Sequence, residues 1–226
     1  PLIQHIVDRL GQATFVDKII VATTNEALDD PLVHYLNQQK IPCFRGATQD
    51  VLARFYECAQ RYPSDIIVRV TADDPFKESE IIDKAISFLK ADPLLDYCSN
   101  TLFPTYPEGL DIEVFRIDAL KRAYREAVLS SEREHVTPYI WKYPEKFKIH
   151  NFNYKENLSH WRWTIDYEKD FEFTQKIYAE LYPKFKNKFS YEDVISLLKD
   201  HPELMEINKG VQRNEGYLNA IHGEQK

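Results

Sequence analysis

The first ninety or so residues alternate short apolar runs with amphipathic stretches of helical period. The runs KIIVA (18–22), IPCF (41–44) and DIIVRV (65–70) are rich in β-branched residues, as strands covered on both faces should be. The proline of the second suggests an edge or strand-start position. Between them, LVHYLNQQ (32–39), DVLARFYECAQRY (50–62) and SEIIDKAISFLKA (79–91) repeat apolar positions three and four apart and predict helices. In the second of these the inward face is Val51, Leu52, Phe55, Tyr56 and Ala59; in the third, Ser79 is the expected N-cap. PLIQHIVDRL (1–10) reads as a helix already under way, with proline in its first turn, and something is expected to precede it in the natural protein. This alternation predicts an α/β chain: a Rossmann-like, mostly parallel sheet with helices on both faces.

Beyond residue 95 the pattern changes. LLDYCSN reads as a strand, and YPEGLDIEVF as a proline and glycine turn leading into an alternating strand. Two helices follow, IDALKRAYREAV and SEREHVTPYIWK, then aromatic-rich strands around KFKIHNFNY and WRWTID. YEKDFEFTQKIYAELY and YEDVISLLKDH close the domain as helices, and the polar tail after Pro202 is expected to be loosely held. One domain over residues 1–226 is expected, with an antiparallel insertion from about 95 to 160.

Composition narrows the function. A formal net charge of -7 argues against a nucleic-acid backbone as partner. Three scattered cysteines without a CxxC argue against a disulfide framework and a thiolate zinc site. No apolar run approaches the roughly 20 residues of a membrane span and no signal peptide is visible, so a cytoplasmic protein without a membrane partner is expected.

In an open α/β sheet, ligands bind beyond the carboxyl ends of the strands. The three exits are TTNEALDD, RGATQD and TADDPF. In RGATQD, Gly46 permits close backbone approach, while Thr48 and Asp50 sit where a helix exposes its amides; a nucleoside site and a plain N-cap both fit. In TADDPF, Pro75 forces Asp74 toward extended backbone, so the two carboxylates diverge. Asp73 is the candidate metal ligand and Asp74 the turn residue. Magnesium is usually held by one or two carboxylates together with substrate phosphates, and Asp166, ending WRWTID, offers the second; the alternative for Asp166 is again a helix cap. In EGLDIEVF, Asp111 and Glu113 share one strand face, suited to a polyol or an amine, or to water. His135 has no general-base assignment. Arg69, Arg133 and Arg162 lie in or beside apolar runs and need anionic partners, which a ligand or the acids just named would provide.

Together these segments resemble the cytidylyltransferase superfamily, in particular the spore coat polysaccharide protein F group, and more remotely the synthetases of CMP-activated acidic sugars. The matching stretches are PLIQHIVDRL, VATT, FRGATQDVLARFY, VRVTADDPF, PEGLDIEVF, REHVTPYI and RWTIDYEKDFE. The resemblance implies Asp73 and Asp166 as catalytic Mg2+ ligands, and a nucleotide site at Arg45, Gly46, Asp50, Arg54 and Thr71. It places Gly109, Asp111, Glu113, Arg133, His135 and Arg162 toward the sugar. The implied reaction is CMP transfer from CTP to a sugar, giving CMP-sugar and pyrophosphate in surface or spore-coat polysaccharide biosynthesis, by a homodimer. The family's first strand and phosphate loop, of type RxxSxRLPGK, would lie just before Pro1. This chain does not contain it, so the natural protein is expected to possess it and the present chain alone to be catalytically incompetent. A metal-dependent glycosyltransferase using a nucleotide sugar, and a non-catalytic nucleotide- or sugar-binding relative, are the competing classes.

Overall fold

The computed structural model describes residues 1–224. Six short strands form two sheets: β1 (Val21–Thr24), β2 (Cys43–Gly46), β3 (Ile66–Arg69), β4 (Tyr97–Ser99), β5 (Glu113–Arg116) and β6 (Ile149–Asn151). Strands β1 and β2 pair in parallel, and the other four run in the order β3-β5-β4-β6. Strand β5 is antiparallel to both its neighbours, while β4 and β6 are parallel. The α/β Rossmann-like architecture is as expected, but the four-stranded sheet is mixed and not mostly parallel: two of its three pairings, both made by β5, are antiparallel.

Ten α-helices accompany the strands among the described residues: α1 (Leu2–Leu10), α2 (Asp30–Gln38), α3 (Val51–Arg61), α4 (Ser79–Ala91), α5 (Ile117–Glu126), α6 (Ser130–His135), α7 (Pro138–Lys142), α8 (Glu168–Phe185), α9 (Tyr191–Asp200) and α10 (Glu215–Glu224). The period-2 alternation of strand side chains sorts them between two helix layers. Cys98 and Val114 face a core with Ile81, Ile82, Ala85 and Leu89 of α4, Ile177 of α8 and Leu198 of α9. Tyr97 and Phe115 face the opposite core, with Leu52 of α3, Leu120 of α5 and Ile140 of α7. Helices therefore cover both faces.

Several local expectations shift for identifiable reasons. The strands at 21–24 and 43–46 begin and end two or three residues later than their apolar runs. Ser79 does not cap α4: the N-cap position is Glu78, whose carboxylate instead accepts from the Tyr191 amide at 2.9 Å and the buried Arg9 at 3.4 Å. SEREHVTPYIWK splits into α6 and α7 because Val136 takes φ +71° and Pro138 opens the next helix. WRWTID makes no ladder; it touches Glu108 through one parallel bridge at Arg162. Gly109, at φ +100°, turns the partner away there, and an added Cβ would lie 2.7 Å from the Trp163 carbonyl carbon, so only glycine allows this approach. The tail after Pro202 is tied down. Asn208 is buried and donates to Arg162 O and Asp170 Oδ1, each at 3.0 Å.

Candidate active site

The loop TADDPF follows β3, and its conformation is fixed by packing. Phe76 is fully buried among Trp163, Phe173, Tyr178 and Phe189, with ring centroids 5.6–6.4 Å away, a burial that contributes on the order of 1.5–3 kcal/mol. Tyr178 Oη donates to the Pro75 carbonyl at 2.9 Å. The Ile165 amide donates to the Asp73 carbonyl at 2.9 Å, which joins this loop to the segment carrying Asp166.

Asp73 and Asp74 both line the cleft beyond β3 but differ in their partners, and Asp74 is more than a turn residue. It is buried, ion-paired with the fully buried Lys77 at 2.7 Å, and accepts from the Thr71 hydroxyl at 2.9 Å. Lys77 also donates to the Asp111 carbonyl, so one ammonium closes the loop onto the next strand entry. Asp73 Oδ1, by contrast, is buried without a hydrogen-bond partner. Burial, reinforced by the Asp74 charge, holds the Asp73 carboxyl above its usual range.

These groups line a cleft of about 560 Å³ that gathers Thr71, Asp73, Asp111, Glu113, His135 and Asp166 from the sequence-derived candidates. Glu113 is committed: it pairs with Arg69 at 2.7 Å across the β3–β5 ladder and accepts from Tyr97 Oη at 2.7 Å and from the Thr137 hydroxyl. Asp111 pairs with Arg213; burial raises its pKa and Arg213 opposes the rise. Burial lowers the pKa of His135, whose Nε2 is unpartnered. Trp141, Glu108, Lys77 and Tyr217 also line the cleft. Sequence patterns did not single them out, because Trp141 reads as a helix core residue and Tyr217 stands in a polar tail.

Other candidates lie apart from this lining. Asp50 caps α3, accepting from the Ala53 amide at 2.8 Å, and pairs with Arg133 at 2.7 Å. Arg133 spends its remaining donors on the Tyr124 and Ala127 carbonyls. Arg45 reaches Thr24 O and Asp30, and Arg54 reaches Ala47 O. An added Cβ at Gly46 would lie 2.9 Å from the Phe44 ring and 3.0 Å from Arg54, so the β2–α3 turn is closely packed. Arg162 is enclosed by Glu108, Asp166 and Asp170 at 2.5–3.0 Å. Burial favours its neutral form, but the hydrogen bonds it donates to Asp170 and Asp166 outweigh burial and raise its pKa. The arginines flagged in apolar runs are thus paired to protein acids. A smaller cleft of about 130 Å³ beside Arg9 is built of groups that already bond one another, Arg9 donating to Lys77 O and Phe189 O.

Among the described residues no three or more metal-ligating side chains converge. A magnesium ion needs only one or two carboxylates when phosphates complete its shell. The unpartnered Asp73 Oδ1 fits that donor set, and half-exposed Asp166 on the same cleft, whose Oδ2 is paired with Arg162, has its Oδ1 to add. No helix among the described residues is long and apolar enough to cross a membrane.

Comparison with known proteins assigns the family. The Cytidylyltransferase family model matches residues 1–207. An uncharacterized protein of Methanocaldococcus jannaschii is 36% identical over 94% of this chain and 85% of its own length. The spore coat polysaccharide biosynthesis protein SpsF of Bacillus subtilis is 28% identical over 89% and 85%, respectively. The structure of a cytidylyltransferase from Leptospira borgpetersenii superposes with a TM-score of 0.86 at 29% identity, covering 93% of this chain and 87% of that one. The acid-lined cleft at the end of β3 therefore lies in an enzyme of known lineage: this chain belongs to the cytidylyltransferase family.

Proposed function

We propose that the protein transfers CMP from CTP to a sugar hydroxyl, releasing pyrophosphate, and that its CMP-sugar product feeds surface polysaccharide assembly. The observation that carries this reading is Asp73 Oδ1, a buried acceptor left without a partner beyond the carboxyl end of β3, on a residue that lines one cleft with Asp166. The similarity to the Bacillus subtilis spore coat protein supports the pathway class.

In the proposed reaction a sugar oxygen attacks the α-phosphorus of CTP in line, the bond to the β-phosphate oxygen breaks, and the hydroxyl proton passes to solvent. Catalysis of this kind is mostly positioning and electrostatics. Asp73 and Asp166 would hold a magnesium ion, which when bound offsets charge on the phosphate oxygens. Thr71 and Lys77 fix the loop that presents Asp73. The Asp73 carboxylate is preorganised, because Phe76 is buried and the Ile165 amide holds its backbone.

The test is pyrophosphate release by the full-length protein with CTP, magnesium and a panel of sugars. Asp73→Asn is expected to lower kcat/KM by about a hundredfold or more, the scale of several kcal/mol of lost charge stabilisation, with its thermal midpoint close to that of the parent. Release that survives Asp73→Asn, or turnover of a nucleotide sugar in place of CTP, would overturn the reading.

A further inference from the structure

We infer that the segment from Arg213 to Glu224 forms one wall of the acceptor subsite, and that Tyr217 on it selects a neutral, polyhydroxylated acceptor over a carboxylate-bearing one. This rests on the cytidylyl-transfer reading. The segment lies beyond the residues the family model matches, 1–207.

The segment is fastened at both ends. The Asn214 amide donates to Glu108 Oε1 at 2.8 Å, Arg213 pairs with Asp111, and Tyr167 Oη donates to Glu215 at 2.5 Å. At the far end the Glu224 carboxylate accepts from the Ser131 amide at 2.5 Å and from the Ser130 and Ser131 hydroxyls at 3.0 Å. These ties set Tyr217 edge-on to His135 and Trp141, with ring centroids 5.1 and 5.8 Å apart.

Two residues that line the same cleft then each keep a buried polar atom with nothing to bond: Tyr217 Oη and His135 Nε2. An unpaired buried polar atom is costly, and both groups can give or accept a hydrogen bond to a hydroxyl. Beside them Trp141, Leu102 and Phe103 give the apolar surface that a sugar ring's C–H face packs on. Charge decides between acceptor classes. Glu108, Asp111, Glu113 and Glu215 all line the cleft; the first three are paired with Arg162, Arg213 and Arg69, and Lys77 is paired with Asp74, so Glu215 keeps its charge uncompensated and each lysine and arginine of the lining already has a carboxylate partner. A carboxylate-bearing acceptor would find no unpaired counter-charge there; a neutral polyol needs none.

The experiment uses the full-length protein, Tyr217→Phe and a chain ending at Gln212. D-mannose and D-glucose serve as neutral probes, with D-glucuronate as the acidic one. Acceptor KM is read from pyrophosphate release, CTP affinity from calorimetry, and sugar contact from saturation-transfer NMR. Tyr217→Phe should raise the neutral-sugar KM about three- to tenfold, the scale of one hydrogen bond, with CTP affinity unchanged. The shortened chain should lose more, and glucuronate should be the poorest acceptor. An unchanged KM in both variants, a lower KM in the shortened chain, or a preference for glucuronate would each overturn the inference. Failure of CTP turnover sinks the cytidylyl reading separately. Saturation transfer still decides the wall in that case: no contact with either neutral sugar, or contact that Tyr217→Phe leaves intact, rejects it.

Discussion

Two acid-rich corners, joined by the hydrogen bond from the Ile165 amide to the Asp73 carbonyl, differ in whether their polar atoms are satisfied. Around Arg162, three carboxylates meet one guanidinium, and Asp170 in addition accepts from the Asp166, Tyr167 and Asn208 nitrogens at 3.0–3.1 Å. Around Asp73, the neighbouring Asp74 takes the lysine and the threonine, and Asp73 is left with an orphaned oxygen. Both corners are charged and, half-exposed Asp166 apart, largely buried, so burial and charge alone do not mark a site. An unspent hydrogen-bonding valence that opens on a cleft does. The qualification about the cleft matters, because Trp163 Nε1 and Thr174 Oγ1 are also unpartnered yet sit in the core away from it.

The largest expected effect breaks the satisfied corner. Arg162→Met would leave Asp170, fully buried, without its counter-charge, and removing one partner of a buried pair costs about 3–5 kcal/mol. Urea unfolding should show that loss. A loss below about 1 kcal/mol would mean that the cluster holds nothing together, and the contrast between the corners would fail.

A smaller effect separates the adjacent acids. Asp74→Asn keeps an acceptor for Thr71 but leaves Lys77 unneutralised, with the Asp111 carbonyl still bonded to it; about 1–3 kcal/mol of stability should go. Whatever protein remains folded should retain its CTP affinity, whereas Asp73→Asn should show the opposite division. Equal stability losses in the two variants would erase the distinction.

Much of this was legible in the sequence. The β-branched runs and helical periods placed the layers, and the DDP step drew attention to Asp73 and Asp74, which line one cleft with different partners. The resemblance marked Asp73 and Asp166, and the structure sets both on one cleft. Less legible were the partners. Arginines 69, 133 and 162 plainly needed anions, but pairing with Glu113, Asp50 and Asp170 depends on which loops the fold brings together. Lys77 carried no signal in the sequence and is fully buried. Arg213 and Tyr217 carried no signal, because a short polar segment shows no amphipathic stripe. Their positions follow from anchors at Glu108, Asp111 and Ser131, far away in the chain.

The smallest expected effect concerns His135, which stands between the two kinds of corner: in the cleft, half-buried, with Nε2 unspent. Burial lowers its pKa; the Arg69 charge lowers it further, and Glu134 and Glu113 oppose. As the pH falls below about 6.5, the unfolded chain takes up this proton before the folded one does. The histidine's contribution to stability is therefore complete above about 6.5 and is lost as the pH falls from there through the lowered folded value. His135→Gln cannot protonate and should escape that loss. The difference in urea midpoint between parent and variant should thus shift in the variant's favour between pH 7.5 and pH 5.5. A difference that does not move with pH would mean that the imidazole is solvated or finds a partner, and that the hydrogen bond offered to an acceptor hydroxyl is already taken.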